Sequence, residues 1–217
     1  MNNMEQARFN MVEQQIRPWD VLDSEVLDLL KKVKREHFVP PSQRSLTFMD
    51  LDIPLGHGAK MWQPKMEARA LQALKLQHGD RVLEVGSGSG YLTALLSSLA
   101  THVTSVEIVA ELSAMAERNL AAHHIDNVTL EVGDAANGWG TAQYDAIVLT
   151  GSVPMQPTVQ MNNLKIGGRL FAVIGDAPAM QACLITRTAA DAFDSVTLFE
   201  TSVAPLLNVQ QPQRFVF

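Results

Sequence analysis

The rhythm of hydrophobic positions changes part-way along the chain. In the first third, Val26, Leu29, Leu30 and Val33 recur at helical spacing behind Asp20 and Asp23, whose carboxylates suit the exposed amides of a first turn. Lys31, Lys32, Lys34 and Arg35 then fall in the last turns of that helix, where cations favour the negative end of its dipole. Phe9, Val12 and Ile16 predict a companion helix ended by Arg17-Pro18, and Val39-Pro40-Pro41 prevents further helix. Residues 53–64, IPLGHGAKMWQP, are bounded by Pro54 and Pro64 and hold Gly56 and Gly58, which reads as a shaped loop.

After about residue 78, short apolar runs alternate with helical segments. RVLEV, HVTSVE, NVTLEV, YDAIVLT and GRLFAVIG read as strands, YLTALLSSLA and ELSAMAERNLAAH as helices, with a further helix around Val159 to Leu164. Strands separated by crossover helices predict a parallel sheet covered on both faces. QACLITRT and SVTLFETS, joined by a polar turn with Asp191 and Asp194, predict an antiparallel pair at the C-terminal end. The expected architecture is a three-layer α/β core, mostly parallel with an antiparallel C-terminal strand, over residues 78–217. Helices and a loop in residues 1–77 pack on it.

Composition narrows the function classes. With 217 residues and 47% hydrophobic content, the chain can bury one substantial core. No apolar run is long enough for a bilayer and the first residues lack a secretory pattern, so a soluble cytoplasmic protein without a membrane partner is expected. Cys183 has strand-like flanks and reads as a buried, inert thiol. The net charge of -6 gives no global attraction for a phosphate backbone, and KKVKREHF reads as a solvated helix face, so no nucleic-acid partner is expected. His123 and His124 have no nearby cysteine or carboxylate cluster and read as a surface pair, so no metal site is expected.

The chemistry concentrates in VLEVGSGSG. Gly86, Gly88 and Gly90, with Ser87 between them, follow a strand and open a helix, where missing side chains let a ligand approach the backbone. Glu107 ends the next strand, where its carboxylate can accept hydrogen bonds from ribose hydroxyls. Glu84, just before the glycines, suits a ligand bearing an ammonium or sulfonium, or else fixes the loop. A dehydrogenase is disfavoured by the short GSGSG and by the lack of a downstream Tyr-Lys or Arg-His arrangement.

These residues resemble the class I S-adenosylmethionine-dependent methyltransferases. MVEQQI, REHFVP, IPLGHG with QP, VLEVGSGSGY, SVE, NVTLEVGD and GGRL are similar, in order and spacing, to the protein-L-isoaspartate O-methyltransferase family. The resemblance implies a Rossmann-like methyltransferase sheet, S-adenosylmethionine as cofactor, and a protein or peptide substrate bearing an isoaspartyl carboxylate. It also implies that Asp134 and Ala135 lie beside the adenine, with Asp134 facing the exocyclic amine. Asp145 is expected to support its strand.

Departures gather on the acceptor side. Where the family loop carries glutamine, threonine, isoleucine or valine, and serine, this chain has Ala59, Lys60, Met61 and Trp62. Ser202 stands where the family has an arginine. Candidate acceptor-side groups are therefore His57, which orients the loop or donates to substrate, and Lys60, which meets a carboxylate or points to water. Trp62, whose bulk can fill the acceptor's place, and the strand end at Thr150 complete the set. The sequence carries two readings: a carboxyl methyltransferase, or a noncatalytic cofactor-binding relative with an interaction or sensing role. A methyltransferase for a different acceptor lies between them. A monomer and a homodimer both fit the amphipathic helices.

Overall fold

A computed structural model describes residues 3–213. Two short helices, α1 (Asn3–Met11) and α2 (Ser24–Lys32), precede a hairpin of β1 (Ile53–Gly56) and β2 (Ala59–Met61), then α3 (Pro64–Leu74). The main sheet alternates with helices: β3 (Arg81–Val85), α4 (Tyr91–Leu99), β4 (His102–Glu107), α5 (Ala110–Ala122) and β5 (Val128–Val132). It continues with β6 (Tyr144–Val153), α6 (Thr158–Asn162), β7 (Leu164–Ile174), β8 (Met180–Ala189) and β9 (Ala192–Thr201).

The seven main strands lie in the order β5-β4-β3-β6-β7-β8-β9. The first five are mutually parallel, while β8 and β9 run antiparallel to their neighbours, as the sequence predicts. Side chains alternate between faces along each strand. Val82, Val103, Ala146, Val148, Phe171 and Val173 therefore join the apolar cluster that also holds the cores of α2, α3 and α4. Their neighbours Leu83, Val85, Val106, Ile147, Leu149 and Leu170 face the other way, against Met161 of α6 and Trp139. That second face is thinly covered because residues 133–143, between β5 and β6, form no helix.

The order also fixes where a ligand can enter. From β3 the chain moves outward through β4 and β5, then returns to pair β6 on the other side of β3. The connections leaving β3 and β6 diverge, opening a crevice at the carboxyl ends of these strands. Gly86, Glu107, Asp134 and Thr150, from the carboxyl-terminal sides of β3, β4, β5 and β6, all line it.

The N-terminal region differs from expectation in instructive ways. Asp23 caps α2, its Oδ1 accepting from the Glu25 and Val26 amides at 2.9 and 3.4 Å, whereas Asp20 sits outside in a left-handed conformation. The helix stops at Lys32, so Lys34 and Arg35 lie beyond it, and Arg35 is fully buried rather than part of a solvated face. Val12 and Ile16 are buried as the spacing predicts, but Phe9 is exposed because α1 ends at Met11 and gives way to a wider turn. His123 stacks on His37 and Phe38, which makes it a contact between elements rather than half of a surface pair.

Candidate active site

One cavity of about 360 Å³ occupies the crevice. The wall expected to face the methyl donor is built from Glu84 through Ser89, Glu107 and Gly133 through Ala136. The opposite wall comes from the hairpin, Glu67, Tyr91 and the C-terminal residues 203–207.

On the donor wall, the strand ends hold their polar groups in place. Thr93 and Ser105 hydroxyls both donate to Glu84 Oε2 at 2.5 Å, and Ser105 in turn lies 2.6 Å from the Ser87 hydroxyl. Glu84 Oε1 is buried without a partner among the described residues, and burial pushes this carboxyl up to about 8. Glu84 therefore both fixes the loop and leaves an oxygen that lacks a donor. Glu107 accepts from the Gly88 amide at 2.9 Å and the Val109 amide at 3.1 Å, which orients a carboxylate whose remaining lone pairs are free.

Two of the three glycines are required by close approach within the cavity wall. At Gly86, with φ +98°, a Cβ would stand 2.1 Å from Thr150 Oγ1; at Gly88 it would press on Leu55 of the hairpin at 3.1 Å. Gly90 differs. It caps α4 and is small because α5 crosses at Ala116, where a Cβ would stand 3.1 Å away.

Asp134 is exposed, and Ala135 is buried beside it. Asp134 accepts from the Ala136 amide at 3.0 Å and from Asn208 Nδ2 at 2.9 Å. Asn208 lies 74 residues away, and no sequence signal announces the pair. It belongs to a C-terminal strap: Ser152 donates to the Ala204 carbonyl at 2.9 Å, and the Leu206 amide donates back to Ser152 at 3.0 Å. Leu206 presses so closely on Gly151 that a Cβ there would meet it at 2.8 Å.

The segment read as a loop is a hairpin. His57 and Gly58 form its two-residue turn, both at positive φ, the pattern of a type I′ connection. His57 and Lys60 are exposed on it and line the cavity. Trp62 is buried, its ring edge-on to Phe171 at a centroid distance of 6.0 Å. It is packed into the core and is one of the residues that line the cavity. Thr150 also reaches the wall, but its hydroxyl donates to the Val85 and Gly86 carbonyls at 2.8 and 3.1 Å. That donor clasps the glycine loop from the cavity wall.

Beneath the hairpin lies a group that the periodicity did not reveal. Arg35 is in contact with Glu67, and it donates to the Trp62 carbonyl at 2.5 Å and the Thr47 carbonyl at 3.1 Å. Burial drives the Glu67 carboxyl upward while the guanidinium opposes it. The same guanidinium lies 5.1 Å from the Tyr91 ring centroid. The available signals were the basic run, whose last member follows the end of a helix, and the REHFVP motif that begins at Arg35, and neither places the side chain.

The description of the protein-L-isoaspartate(D-aspartate) O-methyltransferase (PCMT) family matches residues 6–210. The chain belongs to this family. Protein-L-isoaspartate O-methyltransferase 1 of Rhodopseudomonas palustris (strain HaA2) is 40% identical over 202 residues, 92% of this chain and 82% of that protein. Protein-L-isoaspartate O-methyltransferase 2 of Marinobacter nauticus is 34% identical over 207 residues, 94% of each. A Plasmodium falciparum protein, provisionally described as a protein-L-isoaspartate O-methyltransferase and crystallised with S-adenosyl-L-homocysteine, superposes with a TM-score of 0.80. That match has 22% identity over 95% of this chain and 99% of that one, and establishes the fold. The fold is that of S-adenosylmethionine-dependent methyltransferases, and the enzyme class follows from family membership. Asp145 supports the sheet, accepting from the Arg81 amide at 2.9 Å and Lys165 at 2.8 Å.

Proposed function

We propose that the protein transfers a methyl group from S-adenosylmethionine to the carboxylate of L-isoaspartyl residues in proteins or peptides, as a cytoplasmic repair activity. The observation that carries this reading is a single cavity whose two walls are the glycine-loop strand ends and the hairpin.

The donor wall fits the cofactor. Glu84 Oε1, buried and without a partner, is suited to an ammonium group, whose charge would draw the carboxyl back to its ionised form. Glu107, locked by two amides, is suited to ribose hydroxyls, and Asp134 with Ala135 to the adenine edge. The cofactor supplies an electrophilic methyl group on a sulfonium.

The chain's part in the reaction is placement. A carboxylate acceptor is already ionised near pH 7, so no strong base is required. Lys60 offers a point charge to that carboxylate, without the bidentate grip of an arginine. Trp62, Met61 and Leu55 narrow the chamber and exclude water, which favours an in-line approach over hydrolysis and raises the effective concentration of the acceptor. His57 shapes the turn that carries Lys60. One observation favours a different acceptor: a tryptophan, not a hydroxyl-bearing residue, lines the cavity at position 62.

The test is transfer of labelled methyl to an isoaspartyl peptide, with the ordinary aspartyl peptide as control and donor binding measured calorimetrically in the same preparation. Transfer to the isoaspartyl peptide alone supports the assignment. Donor binding without transfer overturns the acceptor, and absence of both overturns the donor.

A further inference from the structure

A second, smaller cavity of about 100 Å³ lies beside the acceptor end of the first, and the two share Asp52 and Val203 as walls. An extended acceptor chain whose modified residue enters the main cavity can place a neighbouring side chain across this shared wall. Trp19, Met66 and Phe199 supply the apolar surface of the side cavity, and its charged groups decide what it can receive.

Its two cations are already engaged. Lys65 pairs with Asp50 at 2.7 Å and sits 4.0 Å from the Trp19 ring centroid. Arg69 lies 3.8 Å from Asp20, which like Asp50 stands outside the cavity lining, donates to the Trp19 and Leu198 carbonyls at 2.8 and 3.3 Å, and has its guanidinium 4.7 Å from the Phe199 ring centroid. Its two carboxylates, Asp52 and Glu200, are in no ion pair with a described cation. Asp52 is half-buried, so water screens it less than a surface carboxylate. The charge left uncompensated is therefore negative, on walls whose apolar part suits a long aliphatic stem.

We propose that this side cavity receives a lysine or arginine side chain next to the methylated residue, making Asp52, with Glu200, a determinant of which damaged sites the enzyme prefers. The inference rests on the isoaspartyl reading above and adds to it a preference for basic sequence context. The stem packs on Met66 and the edge of Trp19, while the cationic head meets Asp52 at the boundary between the cavities.

The experiment uses the full chain and three isoaspartyl peptides identical except for lysine, alanine or glutamate beside the modified residue, each tested on both sides of it. The expected kcat/KM falls from lysine through alanine to glutamate, with a total spread of about tenfold, the scale of a partly screened ion pair. In the Asp52→Asn, Glu200→Gln double variant, that spread shrinks to roughly twofold or less. Equal values for the three peptides in the unmodified enzyme overturn the inference, as does a spread that survives in the double variant. Absence of transfer to every peptide defeats the isoaspartyl reading instead. The side cavity is then judged by calorimetric binding of the same peptides with S-adenosylhomocysteine present. Lysine-over-glutamate ranking sustains it, and no ranking or no binding overturns it.

Discussion

The two walls of the cavity are built by different means. The donor wall comes from consecutive strand ends of one parallel sheet, and its key groups are held by neighbours on adjoining strands: Ser105 and Thr93 on Glu84, the Gly88 amide on Glu107. The acceptor wall is assembled from pieces far apart in the chain. Glu67 lies in α3 and is backed by Arg35 from beyond α2, Trp62 precedes α3, and residues 203–207 return from beyond the last strand. Topology alone places the first wall, whereas the second depends on a buried ion pair and a strap. Substitutions on the acceptor wall should accordingly cost fold stability first, and those on the donor wall should cost affinity first.

The sharpest way to break that contrast is at the ion pair. Glu67→Ala leaves Arg35 buried with no carboxylate and is expected to destabilise the protein by about 3–5 kcal/mol in urea unfolding. A loss below about 1 kcal/mol would mean that the carbonyls of Thr47 and Trp62 suffice for the guanidinium. Trp62→Ser comes next. Sequence alone makes it a restoration of the family hydroxyl and hence a gain of activity. Burial against Phe171 makes it a cavity, with an expected loss of about 3 kcal/mol or more. Higher methyl transfer with an unchanged urea midpoint would show that the indole obstructs rather than supports the site.

What could be read from the sequence follows the same division. Strand and helix periodicity gave the sheet, its antiparallel end and the donor loop, because each motif is local and the parallel order brings its ends together. The hairpin at 53–61 escaped because its strands are only four and three residues long and their register is irregular at Pro54 and Gly56. Arg35 was misplaced because a run of basic residues looks solvated when its partner lies 32 residues away. Thr150 and Gly90 sit in the right neighbourhood, yet their roles are decided by contacts, with the glycine-loop carbonyls and with Ala116, that no spacing encodes.

On the donor wall, Glu84 predicts a pH dependence whose sign is fixed. Its folded-state pKa is about 8 against 4.5 for an ordinary glutamate, and the cause is burial. Between these values the folded protein keeps a proton that the unfolded chain releases, so stability falls as pH rises through the window. Glu84→Gln removes that contribution. Its urea-derived stability should be flatter from pH 5 to 8, by roughly a few kcal/mol, with weaker donor binding as the accompanying cost. An identical slope in both proteins would show that the carboxyl is already ionised in the fold, held by its two hydroxyl donors.

The smallest expected effects separate direct from indirect recognition at Asp134. Asp134→Ala removes the carboxylate proposed to meet the adenine and should weaken donor binding about tenfold, the lower end for a hydrogen bond to a charged group. Asn208→Ala removes only the side-chain amide that steadies one of its oxygens, and about a threefold loss is expected. Combining them distinguishes the roles. If Asn208 acts through Asp134, the double variant binds the donor no worse than Asp134→Ala alone, because the group being steadied is gone. If the losses multiply, Asn208 contributes on its own, through the strap that closes the cavity, and the donor wall would then share the long-range construction of the acceptor wall.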